Sequence, residues 1–527
     1  MTIAELSPEK LRLECPPGQV GCETSAELGP VEGIIGQDRA LKALKFGIEM
    51  KGKGFNVYAA GPPITGKRPA TRSFLEAIAK TRPVPSDWAY VNNFQNQYEP
   101  KALMFPPGKA RVFQKDLKNF IEQAKRAIPA TLQSEEFVSR TNNTTKKAVT
   151  DRNKILNDLN KRAETLGYTV RMTQLGITIV PVVAGKPVSQ EDFDSLPARV
   201  KKKYEQTRDT MRAALDKAGK GINDLDMTTV EELKKLRDDS VHYAIGGLMN
   251  SLTSRYQDLP KVLQHLNEVR DDILENAEVF TEGGGAEEKP DEEQRNPVES
   301  KLTDHASFRR YDVNVIVDNS ELKGAPVIAE DNPTATNLLG KIEYESRFGA
   351  LVTDFTLIKA GSLHRANGGF LVVGVDELLK NQFSYDGLKR ALQSASLQLE
   401  DMGQRLGGAP TKTPVPEPIP LGVKIILVGD HETYQALYVL DPDFSILFKV
   451  KAHFDDSIER NDKNQKTYGS FVHSLCEREG LGHLDAPALA RIVEYGSRLA
   501  EDQTKLSTKF PQIADLIREA KDRKSVV

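Results

Sequence analysis

The segment that most constrains what this chain can fold into is residues 61–67, GPPITGK. It fits the pattern G-x-x-x-x-G-K, with a short apolar run before it and a helical pattern after it. Glycines in this context let backbone N–H groups turn inward around phosphate oxygens, and the lysine can reach the terminal phosphates. The segment therefore predicts a phosphate-binding loop between a strand and a helix, at the start of an α/β unit with a parallel sheet. The alternative is a Gly/Pro turn without a ligand.

The candidate nucleotide-binding residues of this loop are Gly61, Thr65, Gly66, Lys67 and Arg68. The pattern ordinarily continues with Ser or Thr, whose hydroxyl binds Mg²⁺, whereas this chain continues with arginine. A guanidinium cannot coordinate a cation, but it can contact phosphate directly. Losing one contact to a charged group costs roughly 1.5–3 kcal/mol. The residues therefore predict an ATP site at which Mg²⁺ has lost one protein ligand.

A pair of carboxylates follows a second apolar run. Residues 370–375 read FLVVGV, and Asp376 and Glu377 come next. A nucleotide hydrolase needs one carboxylate at the end of a neighbouring strand for Mg²⁺ and a second to orient water. Asp376 and Glu377 are therefore candidate catalytic residues, and Asp376 is the candidate Mg²⁺ ligand. The alternative is a pair that caps the start of the following helix.

The pattern of the chain predicts an interrupted α/β domain. We expect residues 1–110 to hold the first part of the core and 111–280 to form a mostly helical insertion with a hairpin near 168–183. Residues 281–300 read as an acidic Gly/Pro-rich linker, 301–455 as the rest of the core, and 456–527 as a small helical lid. Apolar runs at 311–317, 369–375 and 423–428 suit strands buried on both faces. TVEE at 229–232 predicts a helix start with a capping box.

Composition excludes several classes of protein. Lys and Arg (72) nearly balance Asp and Glu (75), so a basic nucleic-acid-binding surface is not expected. The sequence contains no run of 18 apolar residues, so no membrane span is expected. The N-terminus lacks the apolar region of a secretory signal. The three cysteines form no CxxC pair, which argues against a disulfide scaffold. We expect a cytoplasmic protein with no membrane partner.

Five segments together resemble the ATPase part of bacterial Lon-like ATP-dependent proteases that carry a long helical insertion. They are EGIIGQDRA at 32–40, the loop at 61–67, GALVTDFTLIKAGSLHRANGG at 349–369, DPDFSILFKVKAHFD at 441–455, and AEDQTKLSTKFPQIADLIREA at 500–520. HRANGG and the LSTKF stretch are the specific parts of this resemblance, and the phosphate loop is the unspecific part. The resemblance covers nearly the whole chain.

The resemblance implies an AAA+ P-loop NTPase core, a parallel sheet with flanking helices, followed by a small C-terminal helical lid. It also implies a homo-oligomeric ring, usually a hexamer, that unfolds protein substrates and feeds them to a serine–lysine peptidase domain. In the family that domain follows the lid, and no segment of these 527 residues resembles it. We therefore expect the peptidase to be a separate domain or chain.

The resemblance also assigns individual positions. Related proteins with an intact second motif carry Asp-Glu where this chain has Gly374 and Val375, so Asp376 comes two residues late, a shift of about 6–7 Å along a strand. A bulge or shift of the sheet would be needed to return Asp376 to the metal. Asp430 stands in the place of a polar sensor residue. Lys449 stands near the place of a trans-acting arginine, and Lys509 in that of a lid arginine that contacts the γ-phosphate.

Two functions are compatible with these residues. The first is an ATP-driven protein-unfolding module of a Lon-like protease. The second is a degenerate AAA+ scaffold or adaptor that binds nucleotide weakly, without hydrolysis, and acts through its helical insertion. The arginine at 68 and the displaced carboxylates motivate the second function.

Overall fold

The computed structural model describes residues 12–31, 34–63, 66–173, 176–183, 186–188, 197–281, 308–347, 350–381, 383–399 and 413–524. The α-helices, in chain order, are α1 (Asp38–Glu49), α2 (Lys67–Ala79), α3 (Lys109–Leu132), α4 (Glu135–Leu166), α5 (Ala198–Arg255), α6 (Pro260–Glu275), α7 (Glu278–Thr281), α8 (Ala335–Leu339), α9 (Ser362–Arg365), α10 (Val375–Lys380), α11 (Ser384–Ser394), α12 (His431–Leu440), α13 (Pro442–Leu447), α14 (Asp462–Glu479), α15 (Ala486–Leu499) and α16 (Phe510–Lys524). Within these ranges, no helix combines the length and apolar character needed to cross a bilayer.

The strands are β1 (Val57–Ala60), β2 (Asp87–Val91), β3 (Lys101–Phe105), β4 (Tyr168–Thr173), β5 (Gly176–Val183), β6 (Lys186–Pro187), β7 (Val313–Val317), β8 (Val327–Glu330), β9 (Lys341–Ile342), β10 (Glu345–Arg347), β11 (Ala350–Val352), β12 (Ile358–Lys359), β13 (Phe370–Gly374), β14 (Ser396–Leu397), β15 (Ile419–Pro420), β16 (Lys424–Gly429), β17 (Val450–His453), β18 (Ser457–Glu459) and β19 (Lys505–Ser507). The described chain divides into two compact units, residues 1–115 with 312–527, and residues 116–311.

A five-stranded parallel sheet forms the centre of the first unit. Its strand order is β17-β1-β16-β13-β8. The three central strands are almost wholly buried, because helices cover both faces of a parallel sheet. The predicted α/β fold with a parallel sheet and flanking helices is therefore confirmed. All five strands run in the same direction, so their carboxyl ends meet at one edge, and the predicted phosphate loop leaves β1 at that edge.

Alternate residues of β13 face opposite layers of the core. Phe370 and Val372 belong to a buried cluster that includes Leu44 of α1 and Leu75 of α2. Leu371 and Val373 belong to a second cluster, on the other face of the sheet. This alternation follows from the two-residue period of a strand. The same alternation determines which side chains at the carboxyl edge of the sheet lie on the face that α2 covers.

A separate three-stranded sheet corrects part of the prediction. Strand β2 pairs antiparallel with β3 and with β7. The expectation that the run at 311–317 joins the buried parallel sheet is therefore wrong. The parallel strand β8 takes a place in the sheet for which no run had been predicted.

The second unit is built around two long helices, α4 and α5. Near their junction the strands β4 and β5 form an antiparallel pair. A small apolar cluster there includes Leu159, Tyr168 and Met211, and the rings of Tyr168 and Tyr204 meet edge to face with centroids 5.6 Å apart. The predicted helix start at Thr229 is wrong, because α5 continues through it and its hydroxyl donates to the Leu225 carbonyl, 2.7 Å away. Of the predicted linker at 281–300, the first residue ends α7 and the others lie outside the described residues.

The C-terminal part of the first unit is a helical lid. Helices α14, α15 and α16 pack around Val472, Leu489 and Ile513, and the short strands β18 and β19 pair antiparallel beside them. The lid is joined to the core where Thr508 follows β19. Its hydroxyl donates to the carbonyl of Asp455, at 2.7 Å, and the same carbonyl accepts the side-chain amide of Gln37, at 2.8 Å.

Candidate functional site

The phosphate loop leaves the sheet where side chains are sterically excluded. A Cβ on Gly61 would lie 2.8 Å from the Cβ of Phe454 and 3.0 Å from its carbonyl oxygen, so only glycine fits there without a shift. Gly66 has φ +68°, a left-handed conformation that glycine adopts without strain, and it caps α2. The predicted loop residue Thr65 lies outside the described residues. The loop thus turns sharply from β1 into the N-terminus of α2.

The ammonium group of Lys67 folds back onto its own loop. Its Nζ donates to the carbonyl oxygens of Gly61, at 2.7 Å, and Pro62, at 3.0 Å. Burial lowers the pKa of Lys67, and the charges of Asp430 and Asp376 oppose that shift. The ammonium group therefore lies at the N-terminus of α2 with two neutral carbonyls as its partners. Phosphate oxygens, which carry negative charge, can replace these carbonyls.

Arg68 points towards the end of β8. Its Nη2 donates to the carbonyl of Glu330, at 3.1 Å, and lies 2.5 Å from a carboxylate oxygen of Asp331. Arg68 thus occupies the position of the usual hydroxyl, with its guanidinium bound to the neighbouring strand end. Neither Glu330 nor Asp331 was identified from the sequence, since both lie more than 250 residues further along the chain.

The two predicted catalytic carboxylates lie in the first turn of α10, directly after β13. Strand β13 pairs residue by residue with β16 up to Gly374 opposite Val428, and no bulge shifts Asp376 towards the strand end. The side chain of Glu377 bends back instead. One of its carboxylate oxygens, Oε2, lies 2.0 Å from the position that a Cβ on Gly374 would occupy.

Asp430 follows β16 and caps α12. Its carboxylate accepts the backbone N–H of Thr433 at 2.6 Å, and its carbonyl accepts the hydroxyl of Tyr58 at 2.9 Å. The hydrogen bond from Thr433 holds the pKa of Asp430 below its usual range, against the opposing effect of burial. The carboxylate is therefore ionised and fixed at the carboxyl edge of the sheet.

These groups surround a cavity of about 300 Å³ at the carboxyl edge of the parallel sheet. Its lining includes six of the residues selected from the sequence, namely Gly66, Lys67, Arg68, Asp376, Glu377 and Asp430. The lining of the cavity thus combines the N-terminus of α2 and two cationic side chains with three carboxylates. This arrangement can bind a phosphate chain, with a cation between the phosphates and the carboxylates.

The two other predicted lysines lie away from this cavity. Lys449 precedes β17, at the opposite end of the sheet, where its Nζ donates to the Lys53 carbonyl at 3.1 Å and sits over the ring of Phe55. Lys509 is half-buried at the start of the lid helix α16 and does not line the cavity. In this chain the structure therefore brings neither lysine to the phosphate loop.

The HRANGG segment that carries the resemblance packs beside β8. Ser362 donates a short hydrogen bond to the carboxylate of Glu330, and Arg365 lies 3.6 Å from the same group. His364 is fully buried, its Nδ1 accepts the N–H of Gly361 at 3.3 Å, and burial lowers its pKa to about 4. His364 is therefore a neutral side chain that orders the turn before β13.

A Mg²⁺ ion would find a partial ligand set at this site. Among the described residues, no three His, Cys, Asp or Glu side chains cluster as a complete metal cage. Mg²⁺ at nucleotide sites commonly takes only one or two carboxylates and completes its shell with phosphates and water. The carboxylates that line the cavity fit that partial set, although the usual hydroxyl ligand is absent at Arg68.

Comparisons with known proteins place three segments of this chain in related families. The family model described as "Lon-like LonC helical domain" matches residues 87–120. "LonB-like, AAA domain" matches residues 323–455, and "Archaeal LonB, AAA+ ATPase LID domain" matches residues 483–522. The last two cover most of the sheet after the insertion and most of the lid.

Individual relatives share part of this chain. It is 25% identical to the Archaeal Lon protease of Archaeoglobus fulgidus over 219 residues, which are 40% of this chain and 35% of that protein. It is 29% identical to a Lon protease homolog of Escherichia coli over 167 residues, 31% of this chain and 27% of that protein. The chain thus spans only about a third of the length of these relatives.

Among solved structures, NtrX from Brucella abortus in complex with ATP matches at 14% identity, over 47% of this chain and 65% of that one. The TM-score of 0.21 is too low for that likeness to support an inference. The family models and the curated relatives agree, however. Segments of the chain therefore match models of a LonB-like AAA domain, a LonB lid and a LonC helical domain, which confirms the resemblance to the Lon-like proteases.

Proposed function

We propose that this chain is the ATP-binding AAA+ module of a Lon-like ATP-dependent serine protease, and that it uses ATP to unfold and translocate protein substrates. The observation that carries the proposal is the cavity at the sheet edge, where Lys67 and the start of α2 face Asp376, Glu377 and Asp430. A phosphate chain placed there meets a helix N-terminus and a lysine whose present partners are neutral carbonyls. We propose that the peptidase activity belongs to a separate domain or chain, because no segment of this sequence resembles the family's peptidase.

The chemistry of the site supports hydrolysis through its carboxylates. When bound, Mg²⁺ would neutralise charge that develops on the phosphate oxygens. On the protein side, Asp430 is fixed by the N–H of Thr433 and stands at the end of β16, beside the loop that leaves β1. We propose that Asp430 orients water there, and that one of the carboxylates after β13 holds the cation.

An assembly of several copies is part of this proposal. Four large apolar side chains of α12 and α13 are exposed, namely Tyr438 (54%), Val439 (75%), Leu440 (80%) and Ile446 (60%). Exposed apolar side chains in one region of a surface mark sites of protein association. We name this set the α12–α13 patch and propose that a second copy of the chain covers it. Lys449 lies two residues after the end of α13, so such a contact would bring it near a neighbouring copy.

The second candidate function is a nucleotide-binding scaffold without turnover. The observation that favours it is that Arg68 takes the place of the usual hydroxyl ligand and pairs with Asp331 instead. In that function the long insertion acts as an adaptor that holds a protein partner.

Steady-state phosphate release separates the two functions. Purified protein is mixed with ATP and Mg²⁺, with and without a permanently unfolded protein. ATP turnover that the unfolded protein stimulates supports the unfolding module. ATP binding with no turnover under either condition supports the scaffold. A Lys67→Ala variant measured in parallel removes turnover that belongs to this cavity.

A further inference from the structure

Strand β13 ends in a glycine, where a nucleotide hydrolase with this sheet would carry a carboxylate. A hydrolase with this sheet needs a carboxylate at the end of the strand beside β16, and this strand ends at Gly374. The side-chain alternation of β13 puts position 374 on the same face as Phe370 and Val372, which pack with α2. A side chain at 374 would therefore lie on the side of the sheet where Lys67 begins α2.

The carboxylate of Glu377 fills that place. Its Oε2 lies 2.0 Å from the ideal Cβ position of Gly374 and its carboxyl carbon lies 3.1 Å from it. No β-carbon could share this space with the carboxylate, since even one methyl group would displace it. Both residues line the same cavity as Lys67.

Helix capping does not account for this conformation. In a capping box the third helical residue reaches back to bond the backbone N–H of the cap residue. Glu377 holds that third position in α10, but no such bond joins it to Gly374, whereas α9 has the box. Glu377 is exposed, and within the described part of the chain its carboxylate has no protein hydrogen-bond partner, so a ligand in the cavity would replace only water on it.

We propose that Glu377 supplies the strand-end carboxylate of this site from the first turn of α10, and that Gly374 is the gap that admits it. This assigns the cation-holding role to Glu377 rather than to Asp376. The side chain of Glu377 thereby supplies the carboxylate that Gly374 cannot provide. The inference rests on the proposed nucleotide binding.

The test measures ATP affinity in Mg²⁺ and in EDTA by calorimetry, which needs no turnover. For the unaltered chain we expect Mg²⁺ to tighten ATP binding by at least about tenfold. Glu377→Gln removes most of that gain and leaves the affinity in EDTA within about twofold. Gly374→Ala does the same, because its methyl group displaces the carboxylate. The double variant Gly374→Asp with Glu377→Ala regains the Mg²⁺ effect, because alanine leaves the space free and the carboxylate then comes from the strand.

Glu432→Gln is the matched control, since Glu432 lies in the first turn of the neighbouring helix α12 and does not line the cavity. It should keep the full Mg²⁺ effect. Circular dichroism of each variant checks that the fold is kept. A full Mg²⁺ effect in Glu377→Gln overturns the inference, as does an unaltered chain that binds ATP equally in both buffers. If the unaltered chain binds ATP neither in Mg²⁺ nor in EDTA, the proposed function is overturned as well.

Discussion

The guanidinium of Arg68 and the carboxylate of Asp331 form an ion pair of 2.5 Å that joins the phosphate loop to the end of β8. The pair is partly open to solvent, with Arg68 36% and Asp331 83% exposed. Arg68 also donates to the carbonyl of Glu330, whose own carboxylate accepts the hydroxyl of Ser362, just before the HRANGG segment. A phosphate in the cavity would therefore compete with Asp331 for the same guanidinium.

That competition predicts an increase in ATP affinity when the carboxylate is removed. Asp331→Asn should tighten ATP binding by up to about fivefold, because an exposed ion pair is worth at most about 1 kcal/mol. Arg68→Gln should weaken binding. Titration of the single and double variants completes a cycle, in which Asp331→Asn has no effect once Arg68 is replaced. An equal effect of Asp331→Asn in both backgrounds would show that the ion pair plays no part.

The α12–α13 patch predicts an association that depends on apolar surface. Val439→Asp together with Leu440→Asp should lower the mass of the protein in analytical ultracentrifugation, because two buried charges would have to be desolvated in the contact. Val149→Asp, at a position 53% exposed on the insertion, is the control and should leave the mass unchanged. If the doubly substituted protein sediments like the unaltered one, the patch is not the contact.

Burial of His364 predicts a loss of stability in mild acid. The pKa of His364 is about 4 in the folded chain, below its usual value of about 6.5. Between these values the unfolded chain binds a proton that the folded chain does not, so the free energy of unfolding falls as the pH falls from about 6.5 to 4. The slope is at most about 1.4 kcal/mol per pH unit, and the contribution is fully present above pH 6.5.

Urea unfolding of the unaltered chain and of His364→Leu between pH 7.5 and 5 measures this slope. The variant should lose less stability on acidification than the unaltered chain, because leucine takes up no proton in either state. Parallel pH profiles for the two proteins would refute the assignment to His364.

Local patterns were sufficient to select most of the charged residues that line the cavity. Gly61, Gly66 and Lys67 lie in one continuous segment, where the order of strand, glycine loop and helix is itself the signal. The runs that became β13 and β16 were recognisable because a strand buried on both faces is apolar throughout. The carboxyl edge of a parallel sheet then brought Asp376, Glu377 and Asp430 to the loop.

Contacts between distant segments could not be predicted in this way. Asp331 lies far along the chain from Arg68, and nothing local marks it as a partner. The apolar run of β7 does not show that its partner is β2 rather than the central sheet, because strand pairing depends on nonlocal packing. Thr229 has a capping-box pattern, yet the long helix α5 continues through it because its neighbours also favour a helix. The conformation of Glu377 over Gly374 depends on a side-chain rotamer, which the sequence does not specify.

The most direct test of the nucleotide site is the ATP affinity of Lys67→Ala. Lys67 is the cationic side chain that the loop holds over its own carbonyls, and phosphate should replace those carbonyls. Calorimetric titration should show binding weakened by at least about tenfold, since a hydrogen bond to a charged group contributes roughly 1.5–3 kcal/mol. Lys42→Ala, at an exposed position on α1, should bind as the unaltered chain does. Equal ATP affinity in Lys67→Ala and the unaltered chain would contradict the assignment of this cavity as the nucleotide site.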